Sequence, residues 1–271
     1  MKKNSIAILY IALGDYKCFW EDFYNSFESR FLTGCSKKYY VFTDDRSFFS
    51  RCSENVQVID QENLGWPGNT LYRFEMFLSI RERLINEDYV FFFNANYLCN
   101  KEVGLGDVFF LDAALLCVAH PGFYGLSNYY YNYDRNKKSL AFVPYGEGEC
   151  YIQGCFLGGK PNAFLEMCEK LSDNIRIDDE HGVLAEWHDE SHVNRYIIGR
   201  NDVTILGPEF AYPEFGKTIR KNEIVLLLRD KEKYIQYKGK KKRSKYWFYY
   251  KKKRVLGMMH EQLSKIKKVM G

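Results

Sequence analysis

The stretch Ile6-Ala-Ile-Leu-Tyr-Ile-Ala-Leu13 is apolar without interruption. A strand wet on one side alternates polar and apolar residues. An unbroken run therefore demands cover on both faces, as in a central parallel strand. The chain that follows meets this demand. Phe19, Phe23, Phe27 and Phe31 recur at helical spacing across Cys18–Phe31. Lys38–Thr43 reads as a second strand ended by Asp44-Asp45, and Val56–Ile59 as a short third. Thr70–Ile85 reads as a helix, and Asp88–Phe93 as a fourth strand ended by Asn94-Ala95-Asn96. Such alternation is the βαβ pattern, in which ligands bind at the carboxyl ends of the strands.

Beyond residue 100 the texture changes. Ala113–His120 reads as a further strand, Asn128–Tyr133 as a polar aromatic loop and Gly146–Gly159 as a glycine-rich stretch. Pro161–Asn174 and His192–Ile198 read as helices, and no internal repeat is visible. The expected fold class is α/β, a single doubly wound, Rossmann-like mixed sheet flanked by helices. An apolar share of 46% and an aromatic share of 17% are enough to fill such a core and exclude a disordered chain.

The net charge of +4 conceals an asymmetry: residues 201–271 carry 19 basic against 7 acidic residues, and residues 1–200 carry 20 against 28. A basic excess confined to the last quarter argues against a nucleic-acid binder and for a local element. Residues 238–254 hold 10 Lys and Arg around Tyr246-Trp-Phe-Tyr-Tyr250. They read either as a solvated tail or as a foot on an anionic membrane surface, and both readings stand. The expected organisation is thus a domain over 1–237 and a basic, aromatic tail over 238–271.

Lys2-Lys3 ahead of Ile6–Leu13 imitates a signal peptide. Asp15 and Lys17 follow at once with no small-residue cleavage site, so the run is read as a buried strand. No segment approaches the ~18 apolar residues of a membrane span. The eight cysteines form no CxxC pair and sit mostly in apolar runs, as reduced thiols do. A cytoplasmic place is expected, at the inner face of the membrane if the tail docks there.

Three constellations bear on chemistry. Asn94-Ala95-Asn96 places two polar residues on one face of the chain as it leaves a buried strand. Their amides are poor ligands for a hard cation, which prefers carboxylate oxygen, but they can donate to phosphate or ribose. Trp187-His188-Asp189-Glu190-Ser191-His192 reads as a helix start capped by Asp189 or Ser191. His188 and His192 also stand four apart, as in zinc hydrolases, although Asp189 follows where those enzymes carry Glu. Trp66-Pro-Gly-Asn-Thr-Leu-Tyr-Arg73-Phe74 puts an arginine near aromatics; if buried, it needs a carboxylate or phosphate partner. Phosphate-loop, GxGxxG and GxSxG signatures are lacking.

Together these segments resemble glycosyltransferase family 6, the family of the histo-blood group A and B transferases and the α-1,3-galactosyltransferase. The landmarks run in order from Ile6 to Lys231: Tyr39-Tyr-Val-Phe-Thr-Asp44, Trp66 through Arg73, Asn94-Ala95-Asn96, His120-Pro-Gly-Phe-Tyr-Gly125, Glu147-Gly148-Glu149 leading to Gly158-Gly159, and Trp187 through His192. Asn-x-Asn in place of Asp-x-Asp resembles the bacterial branch, associated with metal-independent transfer. The resemblance implies a single GT-A domain and retaining transfer from a UDP-sugar, with no divalent metal as cofactor. It implies UDP-GalNAc or UDP-Gal as donor, and α-1,3 transfer to a galactoside acceptor, α-1,2-fucosylated, as in the blood-group A product. A lipid-linked sugar transferase and a zinc hydrolase using His188 and His192 are the alternatives.

On this resemblance Ile11, Ala12, Leu13 and Tyr16 would hold uracil and ribose, and Arg73 would touch the donor. Asn94, Ala95 and Asn96 fill the slot of the metal-binding acids. Gln153, Gly154 and Cys155 fall in the stretch that tells Gal from GalNAc. Lys231 falls where a lysine closes over the diphosphate. His120, Gly122 and Asn132 lie on the acceptor side. Trp187, His188, Asp189 and Glu190 match acceptor and donor-sugar contacts, with Glu190 as nucleophile or electrostatic support. Gln153 and Cys155 match neither usual donor pair, and Pro213 replaces an acceptor-contacting Asp.

Overall fold

The computed structural model describes residues 3–109, 113–216, 220, 222–235 and 243–270; within the last segment, side chains are described for 252–268. Ten strands are present in the described chain: β1 (Ser5–Ala12), β2 (Ser36–Thr43), β3 (Val56–Asp60), β4 (Tyr89–Phe93), β5 (Tyr97–Cys99), β6 (Leu115–Ala119), β7 (Ile152–Gly159), β8 (Val203–Leu206), β9 (Tyr212–Pro213) and β10 (Leu226–Leu228). The α-helices are α1 (Trp20–Arg30), α2 (Gly65–Leu71), α3 (Arg73–Leu78), α4 (Arg81–Leu84), α5 (Leu105–Val108), α6 (Pro161–Glu180), α7 (Asp189–Ile197) and α8 (Arg243–Met270).

Seven strands form one mixed sheet in the order β3-β2-β1-β4-β7-β6-β8. β3, β2, β1 and β4 are parallel, β7 runs against β4 and β6, and β8 parallels β6. The unbroken run of β1 is covered on both faces, as expected. Ile6, Ile8, Tyr10 and Ala12 join Phe23, Phe27 and Phe31 from the α1 side. Ala7 and Leu9 join Phe74, Phe77, Phe164 and Leu165 from α3 and α6. Phe27 stacks on Phe23 at 4.1 Å and meets Phe93 edge-on at 4.7 Å, spacings at which aromatic pairs attract. Lys37 closes α1: its ammonium donates to the carbonyls of Phe27, Glu28 and Phe31 at the carboxyl end of the helix.

Some expected elements differ. The helix read over Thr70–Ile85 is three short helices broken at Tyr72 (ψ 17°) and Ile80 (φ −117°). Leu71, Arg73, Phe74, Met76 and Phe77 are all buried, more than one stripe of a straight helix can turn inward. The helix read from Cys18 opens as a 3-10 turn over Gly14–Phe19. Pro161–Asn174 extends to Glu180, and the helix read from His192 starts at Asp189. The glycine-rich stretch hides β7. A side chain at Gly158 would meet the Phe91 ring at 2.8 Å, and one at Gly159 the Ala114 carbonyl at 2.5 Å. Glycine there marks close approach within the sheet, not a loop.

A second sheet, β5-β10-β9, went unread. It folds the chain after residue 208 back over the end of β4, where the Arg229 N–H donates to the Asn96 carbonyl at 2.9 Å. Residues 238–242 of the basic tail, and the side chains of 243–251, lie outside the described residues. The described part of α8 lies against the turn Asn128–Tyr130. Among the described residues no helix is long and apolar enough to cross a membrane. All eight cysteines are free; Cys99, Cys117, Cys155 and Cys168 are buried and Cys18 is exposed.

Candidate active site at the carboxyl edge of the sheet

β1 ends at Ala12, β4 at Phe93 and β6 at Ala119, and antiparallel β7 begins at Ile152 on the same edge. Leu13, Asn94, His120 and Gln153-Gly154-Cys155 therefore gather along one rim. Asn94 N–H donates to the Cys155 carbonyl at 2.9 Å, which fastens the Asn slot to β7.

Glu190, in the first turn of α7, stands at the centre. One of its oxygens accepts the Gly154 N–H at 2.8 Å and the other the Tyr151 hydroxyl at 2.7 Å. The carboxylate is thereby held in one orientation. Its helix is pinned in turn by Asn194, fully buried. The Asn194 amide accepts from Ile152 N–H at 2.9 Å and donates to the Ile152 and Glu190 carbonyls at 3.0 and 2.9 Å. His188, just before α7, adopts φ 54° and ψ −127°, a backbone region that side chains disfavour. Such strain persists only where packing enforces it, and it clusters at functional sites. Neither Asp189 nor Ser191 caps the helix. The Ser191 hydroxyl accepts the Trp187 N–H instead, and Asp189 points into the core.

Asp189 is there because Arg73 is. Both are buried and form an ion pair, and Arg73 also donates to the Gly154 carbonyl at 2.7 Å. The guanidinium lies 4.6 Å from the Phe92 ring centre. Burial pushes its pKa down to about 10, with the Glu190 charge opposing. The partner expected for a buried arginine is thus a carboxylate of the chain itself. Gly154 separates the two charged groups. A β-carbon there would stand 3.0 Å from the Arg73 guanidinium and 3.2 Å from the Glu190 side chain.

Lys231, half-buried after β10, lies 5.1 Å from the Tyr16 ring centre. Burial lowers its pKa, Cys155 opposes this, and the Arg73 charge lowers it further. The neighbouring cations are engaged elsewhere: Arg229 with Asp22 and Lys233 with Glu214, each at 2.7 Å. His120 sits 5.8 Å from Tyr151, ring to ring, and accepts the Gly122 N–H at 3.0 Å. Burial lowers its pKa against the pull of Glu190. The Asn132 oxygen accepts from Lys253 of α8 at 3.1 Å. Ile11 and Tyr16 are half-buried, Ala12 and Leu13 buried. The Gln153 side-chain oxygen is buried without a hydrogen bond.

Sequence reasoning passed over Tyr151 and Asn194. Neither stands in a recognisable motif, and each acts across an |i−j| of 39 or 42, to Glu190 and Ile152 respectively.

The Asn slot does not fit a divalent metal. Asn96 donates its amide to the Arg229 carbonyl at 2.6 Å, and its oxygen is buried without a partner. That leaves a neutral oxygen where a hard dication needs several charged ones. Among the described residues no three His, Cys, Asp or Glu side chains converge on a common point.

A family model described as Glycosyltransferase family 6 matches residues 1–236. The chain belongs to glycosyltransferase family 6. It is 37% identical over 239 residues to the O-antigen biosynthesis glycosyltransferase WbnI of Escherichia coli, covering 88% of this chain and 99% of that one. It is 27% identical over 221 residues to the rat histo-blood group ABO system transferase 1, covering 79% of this chain and 62% of the relative. It is 28% identical over 222 residues to the chicken globoside alpha-1,3-N-acetylgalactosaminyltransferase 1, covering 78% and 62%. The chain thus spans less than two thirds of these vertebrate relatives. The protein is a glycosyltransferase, and the family implies a nucleotide-sugar donor and a glycan acceptor. Membership overturns the zinc-hydrolase alternative. His192 instead packs 3.5 Å from buried Asp178, and the His188 ring lies 5.0 Å from Trp66.

Proposed function

We propose that this family 6 transferase moves GalNAc, with Gal second, from a UDP-sugar in α-1,3 linkage to an α-1,2-fucosylated galactoside, with retention and without a metal. The observation that carries the reading is the fixed Glu190 carboxylate beside the buried Arg73–Asp189 pair and the Lys231 ammonium. Retention needs a positively charged anomeric centre to be steadied on the face away from the leaving group, and one oriented carboxylate does this. The bond from the anomeric carbon to the phosphate oxygen breaks with its electrons on UDP. The acceptor oxygen then bonds to that carbon, and its proton leaves with the nucleotide. Lys231 and the Asn94 amide meet the charge that grows on the β-phosphate, while Asn96, its amide given to the Arg229 carbonyl, holds the slot in place. Arg73 acts from behind, by holding Gly154 and Asp189. Tyr16 and the end of β1 receive the base, and His120 and Trp187 face the acceptor.

The test assays UDP-GalNAc and UDP-Gal against lactose and 2′-fucosyllactose, with and without EDTA. Transfer to the fucosylated acceptor should persist in excess EDTA; strict dependence on Mn²⁺ would refute the metal-free reading. Lys231→Ala should lower kcat/KM by ~10- to 100-fold, as loss of a charge-stabilising group does. Unchanged kinetics would remove Lys231 from the diphosphate.

A lipid-borne galactoside acceptor is the second reading. The observation that favours it is α8, a cationic helix lying against the loop that bears Asn132.

A further inference from the structure

Helix α8 lies beyond residue 236, where the match to the family ends. One of its faces is spent on the domain. Lys253 pairs with Glu186, and Glu261 accepts the Tyr130 hydroxyl at 2.9 Å. The His260 ring stacks on Tyr145 at 3.9 Å. Gly257 lies so close that a β-carbon would stand 2.5 Å from the Tyr129 carbonyl. Residues 253, 257, 260 and 261 share one helical face.

Among the described residues nothing covers the far side. Val255, Met259, Leu263 and Ile266 also share a face, and they are 54%, 54%, 52% and 54% exposed. At 100° per residue this stripe is turned well away from the docked face. Lys252, Arg254, Lys265, Lys267 and Lys268 around it are all exposed. Across the whole helix the sequence carries nine basic residues and one acid, the Glu261 already bonded to Tyr130.

We propose that this stripe seats in a bilayer with anionic headgroups. An apolar face flanked by cations is the pattern of a helix lying in the plane of such an interface. A second copy of the chain would instead bring two cationic borders together, and like charges oppose that contact. The bilayer contact stands independently of the reaction. Its consequence for the acceptor rests on the proposed function: α8 touches the turn leading to Asn132, so docking turns the acceptor side toward the lipid.

The test is co-sedimentation of the full chain with phosphatidylcholine vesicles, with and without phosphatidylglycerol. Binding is expected only with phosphatidylglycerol, and it should weaken as salt rises. Replacing Val255, Met259, Leu263 and Ile266 together by serine should cut partitioning ~10-fold or more, because the apolar area that anchors the helix is gone. UDP release with a soluble acceptor should stay unchanged. A Lys265→Glu/Lys267→Glu/Lys268→Glu variant, which keeps the stripe, should lose binding as well. Equal partitioning of both variants and the parent would overturn the proposal. So would a concentration-dependent dimer that the serine variant alone dissolves. Vesicle binding by a chain that transfers no sugar would separate a failed reaction assignment from a failed docking surface.

Discussion

Glu190→Gln is expected to lower kcat by ~10² or more while UDP-sugar binding persists, the loss usual for a catalytic carboxylate. The substitution keeps the shape of the side chain. The amide oxygen still accepts the Gly154 N–H, and the new amide nitrogen donates to the Tyr151 hydroxyl oxygen, so α7 keeps its place on β7. What disappears is the negative charge, and only the transition state, with positive charge growing at the anomeric carbon, depends on it. A thermal melt separates the two roles. A loss of turnover with unchanged Tm is expected; a large fall in Tm with turnover intact would reduce Glu190 to a helix anchor.

Arg73→Ala is expected to destabilise the fold by ~3–5 kcal/mol, because it strands the buried Asp189 carboxylate without its partner. At ~2–4 °C per kcal/mol for a chain of this size, Tm should fall by on the order of 10 °C. The same change removes the donor that holds the Gly154 carbonyl, so activity should fall further than stability alone requires. The decisive comparison is Arg73→Met/Asp189→Leu. Removing both charges restores an apolar core, since a buried ion pair is often no more stable than packed hydrocarbon. Tm should recover and activity should not. Recovery of both would assign Arg73 to the core alone.

These two expectations lie on one line of residues and show how far the chain could be read in advance. The parallel half of the sheet was legible because period and length speak locally: an apolar run, four phenylalanines at helical spacing, a strand ended by paired acids. β7 was illegible because its glycines look like a loop until Phe91 and Ala114 stand against them. β5-β10-β9 was illegible because three strands of two or three residues hold no period of their own. The site divides the same way. Residues in long motifs, such as Arg73 and Trp187 through Glu190, announced themselves. Tyr151 and Asn194 are ordinary residues whose meaning is a partner elsewhere in the chain.

What the linear chain carried was therefore the class of sheet, the strand ends that form the candidate site and the motifs of glycosyltransferase family 6, since each is written in neighbouring residues. What folding added was pairing. Arg73 meets Asp189 rather than a phosphate, Asn96 gives its amide to a returning backbone, Lys231 comes back over Tyr16, and a basic tail becomes a helix with one docked and one open face. Such contacts join residues far apart in sequence, and burial and hydrogen bonding choose among them only once the sheet has formed.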